Sequence, residues 1–463
     1  MTPSKKDRRD FIKTSGILAA GFLGLQRYAS TPLLANNQVT KIGYGPLKPD
    51  PKGILDLPDG FSYKIISRMG TKMSDGLLVP GKADGMATFK GSNGKTIIIR
   101  NHEVSTNSVK EGAFGKKYEL LEKVDKQKVY DYGKGEAPCL GGTTTLIYDE
   151  EAGTIESEFM SLAGTIRNCA GGPTPWNSWI SCEEDVTKAD GTFEKNHGYA
   201  FEVPVTETPQ LCDPIPLKAM GRFNHEAVAV DPETSIVYQT EDRHDGLIYR
   251  FIPNEKQQLS KGGRLQALAI KGQKSVDTRN WKNLNLPTFP IGKKIEVEWI
   301  DLEDIDAPKD DLRFRGFDQG AARFARGEGI WFGDRELYFA CTNGGKIAQG
   351  QVFKYTPSKQ EGTPGESNDP GALELFVEPN DTDLVTNCDN LTIAPWGDII
   401  LCEDTSRPRI VGVTPKGEFY KIGKNVGYKS EFAGATFSPS GKVLFVNIQH
   451  AGLTLAITGP WQG

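Results

Sequence analysis

Six times along the chain a short apolar run is entered from a turn and ends in a cluster of Asn, Asp, Glu or Thr. The segments are GSNGKTIIIRNHE (91–103), PTPWNSWISCEED (173–185), DPETSIVYQTEDR (231–243), FGDRELYFACTNG (332–344), APWGDIILCED (394–404) and SPSGKVLFVNIQ (438–449). Each predicts a β-strand, because β-branched and aromatic residues pack well on a pleated surface while Gly and Asn supply the turn dihedrals. Several units carry a further strand just upstream (MATFK, AVAVD, NLTIA, GATFS), and others continue into one downstream (GYAFEVP, GLIYRFIP, GQVFKYTP). Such a unit approaches the four-stranded blade of a propeller, so the repeat predicts an all-β fold, a six-bladed β-propeller with insertions between blades.

In a propeller the equivalent strand of every blade runs beside the central channel, so residues at the same place in each repeat converge near the axis. Taken at the ends of the apolar runs, those residues are mostly carboxylates and amides. Like charges a few ångströms apart cost on the order of several kcal/mol in a low-dielectric site, so the set calls for neutralising cations. Oxygen-rich donors suit hard ions, calcium first. For any single residue the alternative is a polar side chain that merely ends its strand at the solvent edge.

The N-terminus reads KKDRRDFIKTSGILAAGFLGL, a basic region with Arg8-Arg9, Phe11 and Lys13 followed by a short apolar stretch. It resembles a bacterial twin-arginine export signal. The apolar stretch is too short to span a membrane comfortably, which predicts a removed signal over residues 1–35, cut near Ala35, rather than a stable membrane anchor. Residues 36–463 then form a single propeller domain, periplasmic or extracellular after passage through the twin-arginine translocon. That route carries folded proteins, which agrees with a cofactor loaded inside the cell.

Composition sets milder bounds. With 463 residues, 37% of them hydrophobic, 52 Gly and 28 Pro, the chain suits one large turn-rich all-β domain. Removing residues 1–35 takes away six Lys or Arg and two Asp, leaving 49 basic and 58 acidic residues and a net charge near −9. Such a surface does not invite nucleic acid, and a monomer is expected. The seven Cys form no CxxC pair, so a disulfide framework or a zinc cage finds little support. Cys182, Cys341 and Cys402 fall at the same place in three repeats and read as buried strand packing. Cys169, in the Gly- and Pro-rich stretch Arg167-Asn168-Cys169-Ala170-Gly171-Gly172-Pro173, lies outside the apolar run. It is open between a metal thiolate and a packed loop cysteine.

Of the five His none shows HxxxH or HxH spacing, and neither a GxSxG elbow nor a Walker A loop occurs. His102 and His225 both occur as Asn-His-Glu, which suggests equivalent positions on two blades, either ligating or hydrogen-bonding to ligands. His197, His244 and His450 default to structural or surface positions.

Several separated motifs resemble, in order, those of the PhoX-type alkaline phosphatases. They are the NCAGG-P-W stretch with the following CEE, Gly221-Arg222-Phe223-Asn224-His225-Glu226, Glu241-Asp242-Arg243 with Tyr249-Arg250-Phe251, and Cys388-Asp389-Asn390-Leu391. The resemblance implies an exported, calcium- and iron-dependent enzyme on a six-bladed propeller, with a di-iron and multi-calcium cluster at the mouth of the channel. By position it makes Cys169 an iron ligand and Glu184, Glu226 and Asp389 carboxylate ligands. Glu103, Glu241, Asp242, Asn390, Glu403 and Asp404 follow as weaker candidates, placed by their strand ends. Arg326-Gly327-Glu328 resembles the family's Arg-x-Glu element, implying that Arg326 contacts phosphate and that Glu328 serves both the metal site and catalysis. Here Gly327 and Gly329 stand where longer members have Pro and Trp, which leaves the geometry of that segment open.

The implied substrates are small phosphate monoesters, with diesters left open. Hydrolysis needs the phosphoryl charge neutralised, an oxygen nucleophile at working pH and a stabilised leaving alkoxide. Calcium can clamp phosphoryl oxygens, ferric ions are stronger Lewis acids, and Arg326 could grip equatorial oxygens through a bidentate fork that Lys cannot match. Six-bladed propellers with one calcium also serve as lactonases or esterases, and some propellers only bind partners. A lactonase needs no phosphate-directed Arg, and a binding module leaves the converging carboxylates unexplained.

Overall fold

The structure, a computed structural model, describes residues 42–462. The expected export signal, residues 1–35, and the domain boundary at residue 36 lie outside the described residues.

In six places the apolar run pairs antiparallel with the strand just upstream of it. The pairs are Ala83–Lys90 with Thr96–His102, Asn168–Pro173 with Ser178–Glu183, and His225–Val230 with Val237–Glu241. They continue with Gly327–Phe332 and Leu337–Cys341, Cys388–Ile393 and Ile399–Glu403, and Phe432–Phe437 and Val443–Ile448. Each connecting turn contains a left-handed residue, among them Asn177 at φ 61° and Gly397 at φ 97°. Asn and Gly accept that conformation more readily than other residues, which is why the turns were visible in the sequence.

Third and fourth strands extend these pairs outward. Ala83–Lys90 begins a four-stranded sheet that ends in Thr154–Thr165, and Asn168–Pro173 begins a three-stranded one. The sheets that begin with His225–Val230 and Gly327–Phe332 are joined edge to edge by Ile295–Asp301, which pairs with both Gly263–Ile270 and Ala372–Val377. The last sheet takes its outer strand from the other end of the described chain, Ser62–Arg68 against Leu453–Thr458. The result is an all-β, propeller-like arrangement, with Leu312–Gln319 as the α-helix among the described residues.

The apolar runs are continuous rather than alternating because each sheet lies between two neighbours and buries both faces. Every residue of Thr96–His102 and of Ser178–Glu183 is buried. One core joins Ile400 and Cys402 to Leu444 and Val446, and another joins Ile180 and Cys182 to Val228 and Tyr249. Cys182, Cys341 and Cys402 sit fully buried in such cores. Cys341 lies one residue further along its strand than the other two, opposite Gly327 as Glu403 is opposite Cys388.

The upstream strands, not the apolar runs, line the axis. Each packs against the next, and Phe432–Phe437 packs back on Ala83–Lys90, closing the ring. Small residues allow this close approach. A Cβ on Gly329 would stand 2.5 Å from the backbone nitrogen of Leu391, and one on Gly434, at φ +64°, would stand 2.2 Å from the carbonyl oxygen of Asp84. Gly329 therefore has a packing reason, and the Arg326-Gly327-Glu328 segment enters a strand rather than forming a loop. Cys169 is likewise in a strand, not in a loop.

Gly434→Ala combines a left-handed backbone with a backbone clash and is expected to cost about 1–3 kcal/mol. Gly397→Ala, whose Cβ would meet open space, serves as the comparison and should cost less. Denaturant unfolding of both variants checks this, and equal stabilities would contradict the close axial approach.

Candidate metal centre

All six axial strands carry a register shift near their start, between Ala83 and Met86, Asn168 and Gly171, His225 and Val228, Gly327 and Ile330, Cys388 and Leu391, and Ala433 and Thr436. A β-bulge of this kind places two residues opposite one and re-aims a side chain. The first residue of each bulge is Asp84, Cys169, Glu226, Glu328, Asp389 and, in the last strand, Gly434. Five of the six positions thus hold a metal-ligand type of side chain, all of them buried. Cys169, Glu184 and Glu226 bring ligand atoms within 4.8 Å of one another, as do Glu226, Glu328 and Asp389, and Asp389, Asp404 and Glu431. Glu226 and Asp389 are shared, so the three groups form one chain of donors.

A second tier stands above the bulges. The residue after each apolar strand donates its backbone N–H to a carbonyl just before the neighbouring axial strand: Glu103 to Lys82, Glu184 to Arg167, Asp242 to Asn224, Thr342 to Arg326, Asp404 to Asn387 and Gln449 to Glu431. Four of those acceptor residues are left-handed, Lys82, Arg167, Arg326 and Asn387. Arg326 reaches back over the cluster. Its Nε and Nη2 donate to the two oxygens of Asp242 at 2.7 and 3.0 Å, and Nη2 also donates to Glu328 Oε1 at 2.7 Å. Below the bulges a small cavity lies between Gly85, Ala170, Ala227, Gly329, Asn390 and Ala435.

The electrostatics of this set favour a bound cation. Apart from the nearby Cys169 thiol, both carboxylate oxygens of Glu226 and Oδ1 of Asp84 are buried without a hydrogen-bond partner. Burial first, then the charges of Asp389 and Asp84, holds the Glu226 carboxyl well above the usual carboxylate range. Burial and Glu103 do the same to Asp84, and burial and Asp242 to Glu184 and Glu328. Asp389 is pushed up to about 7 by burial and Asp404. Cys169 is raised by burial and then by Asp84 and Glu226. Asp242 goes the other way, because the hydrogen bond and charge of Arg326 outweigh its burial. Carboxyls in this state must keep protons or gain a cation, and the converging oxygens of Glu226 and Asp84 are placed to take one. The donors fit the implied group: hard oxygens for calcium and one thiol, Cys169, for a softer or redox metal such as iron.

Of the residues expected from the sequence, Cys169, Glu184, Glu226, Glu328, Asp389 and Asp404 come together, with Glu103, Asp242 and Arg326 at the rim. Asn390 supports the site, donating to Asp389 Oδ1 at 2.8 Å and accepting from Gly434 N at 2.6 Å. Glu241 and Glu403 do not join it. Each is the last residue of its strand, and successive strand residues point to opposite sides. Glu241 accepts from Tyr249 Oη at 2.7 Å and Leu247 N at 3.2 Å, and Glu403 binds Arg409 and Thr386 N. His102 and His225 are not equivalent: one ends an apolar strand and bonds Gly81 O and Thr144, the other begins an axial strand, bonds Gly221 O and stacks on Phe223. Arg250 is structural, buried against Glu361 and Glu366.

Asp84, Glu431 and Gln449 were missed. Gln449 donates to Asp84 Oδ2 at 2.6 Å and to Glu103 Oε2 at 3.0 Å. Asp84 precedes Gly85 and MATFK as Glu226 precedes AVAVD and Asp389 precedes NLTIA, and that upstream alignment is the signal that could have found it.

His197 is neither at the surface nor at the axis. It is fully buried, with Nδ1 2.6 Å from Glu183 Oε1, Nε2 3.3 Å from Asp131 Oδ2 and Cys139 Sγ 3.7 Å from Nε2. Asp131 and Glu183 also accept backbone donors from Gly133, Glu194, Lys195, Ile166, Gly198 and Tyr199. The cluster is satisfied as a buried imidazolium between two carboxylates, pinning two inserted loops to a strand.

The profile of the family described as alkaline phosphatase PhoX matches residues 42–452. Among solved structures, Pseudomonas fluorescens PhoX in complex with vanadate, a transition state analogue, matches with a TM-score of 0.63 at 16% identity, covering 88% of this chain and 96% of that one. At that identity the likeness shows a shared fold. The gluconolactonase XC5397 from Xanthomonas campestris matches with a TM-score of 0.38 at 13% identity, covering 90% and 98%, a score that bears no weight. No curated protein matches by sequence.

Burial opposes the His197 charge, but Glu183 and Asp131 outweigh it and raise its pKa to about 12. The resulting stabilisation is full below the unfolded-state value near 6.5 and is lost as pH rises through the folded value. His197→Gln, whose carboxylate partners keep their backbone donors, should destabilise by roughly 3–5 kcal/mol near pH 6. The deficit against wild type should shrink toward pH 10. Denaturant unfolding across that range checks the sign, and a deficit that grows with pH would contradict it.

Proposed function

From the premise that the chain belongs to the alkaline phosphatase PhoX family, a family of phosphatases, we propose that it hydrolyses phosphate monoesters at a cation cluster on the axis of a six-bladed propeller. The observation that carries this is Glu226. Its two buried oxygens, with no hydrogen-bond partner beyond the Cys169 thiol, lie among the axial donors, beneath an arginine fork at the channel mouth. The vanadate complex of the Pseudomonas fluorescens protein, a transition-state analogue on a shared fold, supports phosphoryl transfer as the chemistry.

Asp84, Cys169, Glu184, Glu226, Glu328, Asp389 and Asp404 would hold the ions, calcium at the oxygen-rich positions and iron where Cys169 contributes. Such ions supply Lewis acidity that neutralises phosphoryl oxygens and lowers the pKa of water at the site. The remaining work falls to the chain itself. Glu328 and Asp242 orient the Arg326 guanidinium, whose fork matches two equatorial phosphoryl oxygens as charge develops on them. Asn390 fixes the rotamer of Asp389 and ties it to the next strand through Gly434 N. The small residues below the bulges leave the rim as the side from which an ester approaches.

Arg8-Arg9 and the following apolar stretch support export through the twin-arginine route to the periplasm or beyond. No helix among the described residues is long and apolar enough to cross a membrane. A calcium-dependent lactonase or a noncatalytic propeller would bring no phosphoryl group for Arg326 to meet.

Two variants test the assignment. Arg326→Lys, at a backbone position whose equivalent is Lys82, should lower turnover on a phosphomonoester by roughly ten- to a thousandfold with metal content intact. Wild-type kinetics in that variant would remove Arg326 from the site. Cys169→Ser should release iron, bleach a visible thiolate-to-iron absorption and depress activity, whereas Cys182→Ser should do little beyond modest packing damage. Colourless, iron-free protein that is fully active with calcium alone would exclude Cys169 as an iron ligand.

A further inference from the structure

Arg167 stands where Arg326 stands, two strands around the ring. Each lies two residues before its bulge residue, Cys169 for one and Glu328 for the other, and each has a left-handed backbone, φ 45° and 53°. Holding a non-glycine residue in that region costs on the order of 1 kcal/mol or more, and at both positions it turns a guanidinium back over the axis. Arg167 Nε donates to Glu103 Oε1 at 2.8 Å, and Nη2 to Glu103 Oε1 at 2.5 Å and Glu184 Oε2 at 2.6 Å. Arg326 contacts Asp242, the equivalent of Glu103, and Glu328, its own bulge residue.

Asn224 bridges Glu184 and Asp242, its Nδ2 donating to Glu184 Oε1 at 3.0 Å and to Asp242 O at 3.1 Å. The rim therefore runs Glu103, Arg167, Glu184, Asp242, Arg326, with two guanidinia flanking the central carboxylates. The Arg167 side chain is 35% exposed and that of Arg326 22%, so both stay reachable from solvent while holding the rim carboxylates. A dianionic phosphoryl group is the ligand that two guanidinium forks at one rim fit best.

Resting on the phosphatase reading and extending it, we infer that Arg167 is a second phosphoryl-binding residue, which grips the phosphoryl group of the substrate and the phosphate product from two strands around the ring from Arg326. The role is binding and positioning at the mouth, distinct from the ligand set beneath it.

The chain itself supplies the variants. Lys82 at φ 50° and Asn387 at φ 48° occupy the equivalent backbone position, so Arg167→Lys and Arg167→Asn are accepted there without new strain. On metal-loaded protein, inorganic phosphate binding is followed by calorimetry, phosphomonoester kinetics by steady-state assay, and metal content by elemental analysis. Removing a charge-assisted pair of hydrogen bonds should weaken phosphate binding about ten- to a hundredfold in Arg167→Asn. KM should rise in parallel, kcat should fall less, and the metal content should not change. Arg167→Lys should recover part of the loss, since it restores the charge without the fork.

Unchanged phosphate affinity and KM in Arg167→Asn, with wild type active, would overturn the inference and leave Arg167 as a clamp between Glu103 and Glu184. Weaker binding accompanied by metal loss would overturn it as well, because the effect would then run through Glu184. Wild-type protein that neither binds phosphate nor hydrolyses the ester would sink the phosphatase reading and this inference together, an outcome readily told apart from the other two.

Discussion

The burial of like charges on one axis is the constraint to which the rest of the molecule answers. Five bulge residues, Asp84, Cys169, Glu226, Glu328 and Asp389, project into a space closed by their own strands. Bringing carboxylates together away from water is unfavourable by on the order of several kcal/mol for each close pair unless protons or cations intervene. A sheet edge or a mobile loop would relieve such repulsion by moving apart. A ring of strands packed face to face cannot, because every sheet is held between two apolar cores.

The bulges connect that scaffold to the chemistry. In an unbroken strand the residue now pointing to the axis would have alternated into a sheet face, and the apolar cores would have had to accept a charge. Inserting one extra residue at the same level in each strand lets the ladder resume with apolar residues in register while one side chain is diverted inward. Gly434 marks where the pattern stops: with no side chain, it lets its strand press on Asp84 O and frees its N–H for Asn390. The rim follows the same logic. Left-handed residues at Lys82, Arg167, Arg326 and Asn387 redirect the chain before four of the six bulges, and at two of them a guanidinium comes to lie over the carboxylates.

Much of this was legible in the sequence. Continuous apolar runs between turn residues announced strands buried on both faces, and their recurrence announced a propeller-like fold. The carboxylates, Cys169 and Arg326 could be singled out because motifs resembling a phosphatase family surround them. What sequence reasoning could not tell was which strand of each pair faces the axis, since both are equally apolar. It therefore took the ends of the apolar runs as the convergent set. There adjacent residues diverge: Asp242 and Asp404 turn to the mouth, while Glu241 and Glu403 turn into the blade and clamp its own loops. Asp84 escaped notice because a bulge breaks the period of two on which strand patterns are recognised. His197 escaped because its partners, Asp131, Cys139 and Glu183, are distant in sequence and meet only through two inserted loops.

Coupling between cation binding and folding tests the central claim most directly. Thermal unfolding of metal-free protein should be followed against free calcium, alongside Glu226→Gln. If the axial carboxylates exist to hold cations, the midpoint should climb steadily with calcium, by about 2.7 kcal/mol of stabilisation at a hundredfold excess over the dissociation constant of one site. Glu226→Gln should unfold at or above the wild-type midpoint without metal and gain much less from calcium. A wild-type midpoint indifferent to calcium and iron alike, with Glu226→Gln simply less stable throughout, would mean that the axial cluster is a protonated structural network and holds no metal.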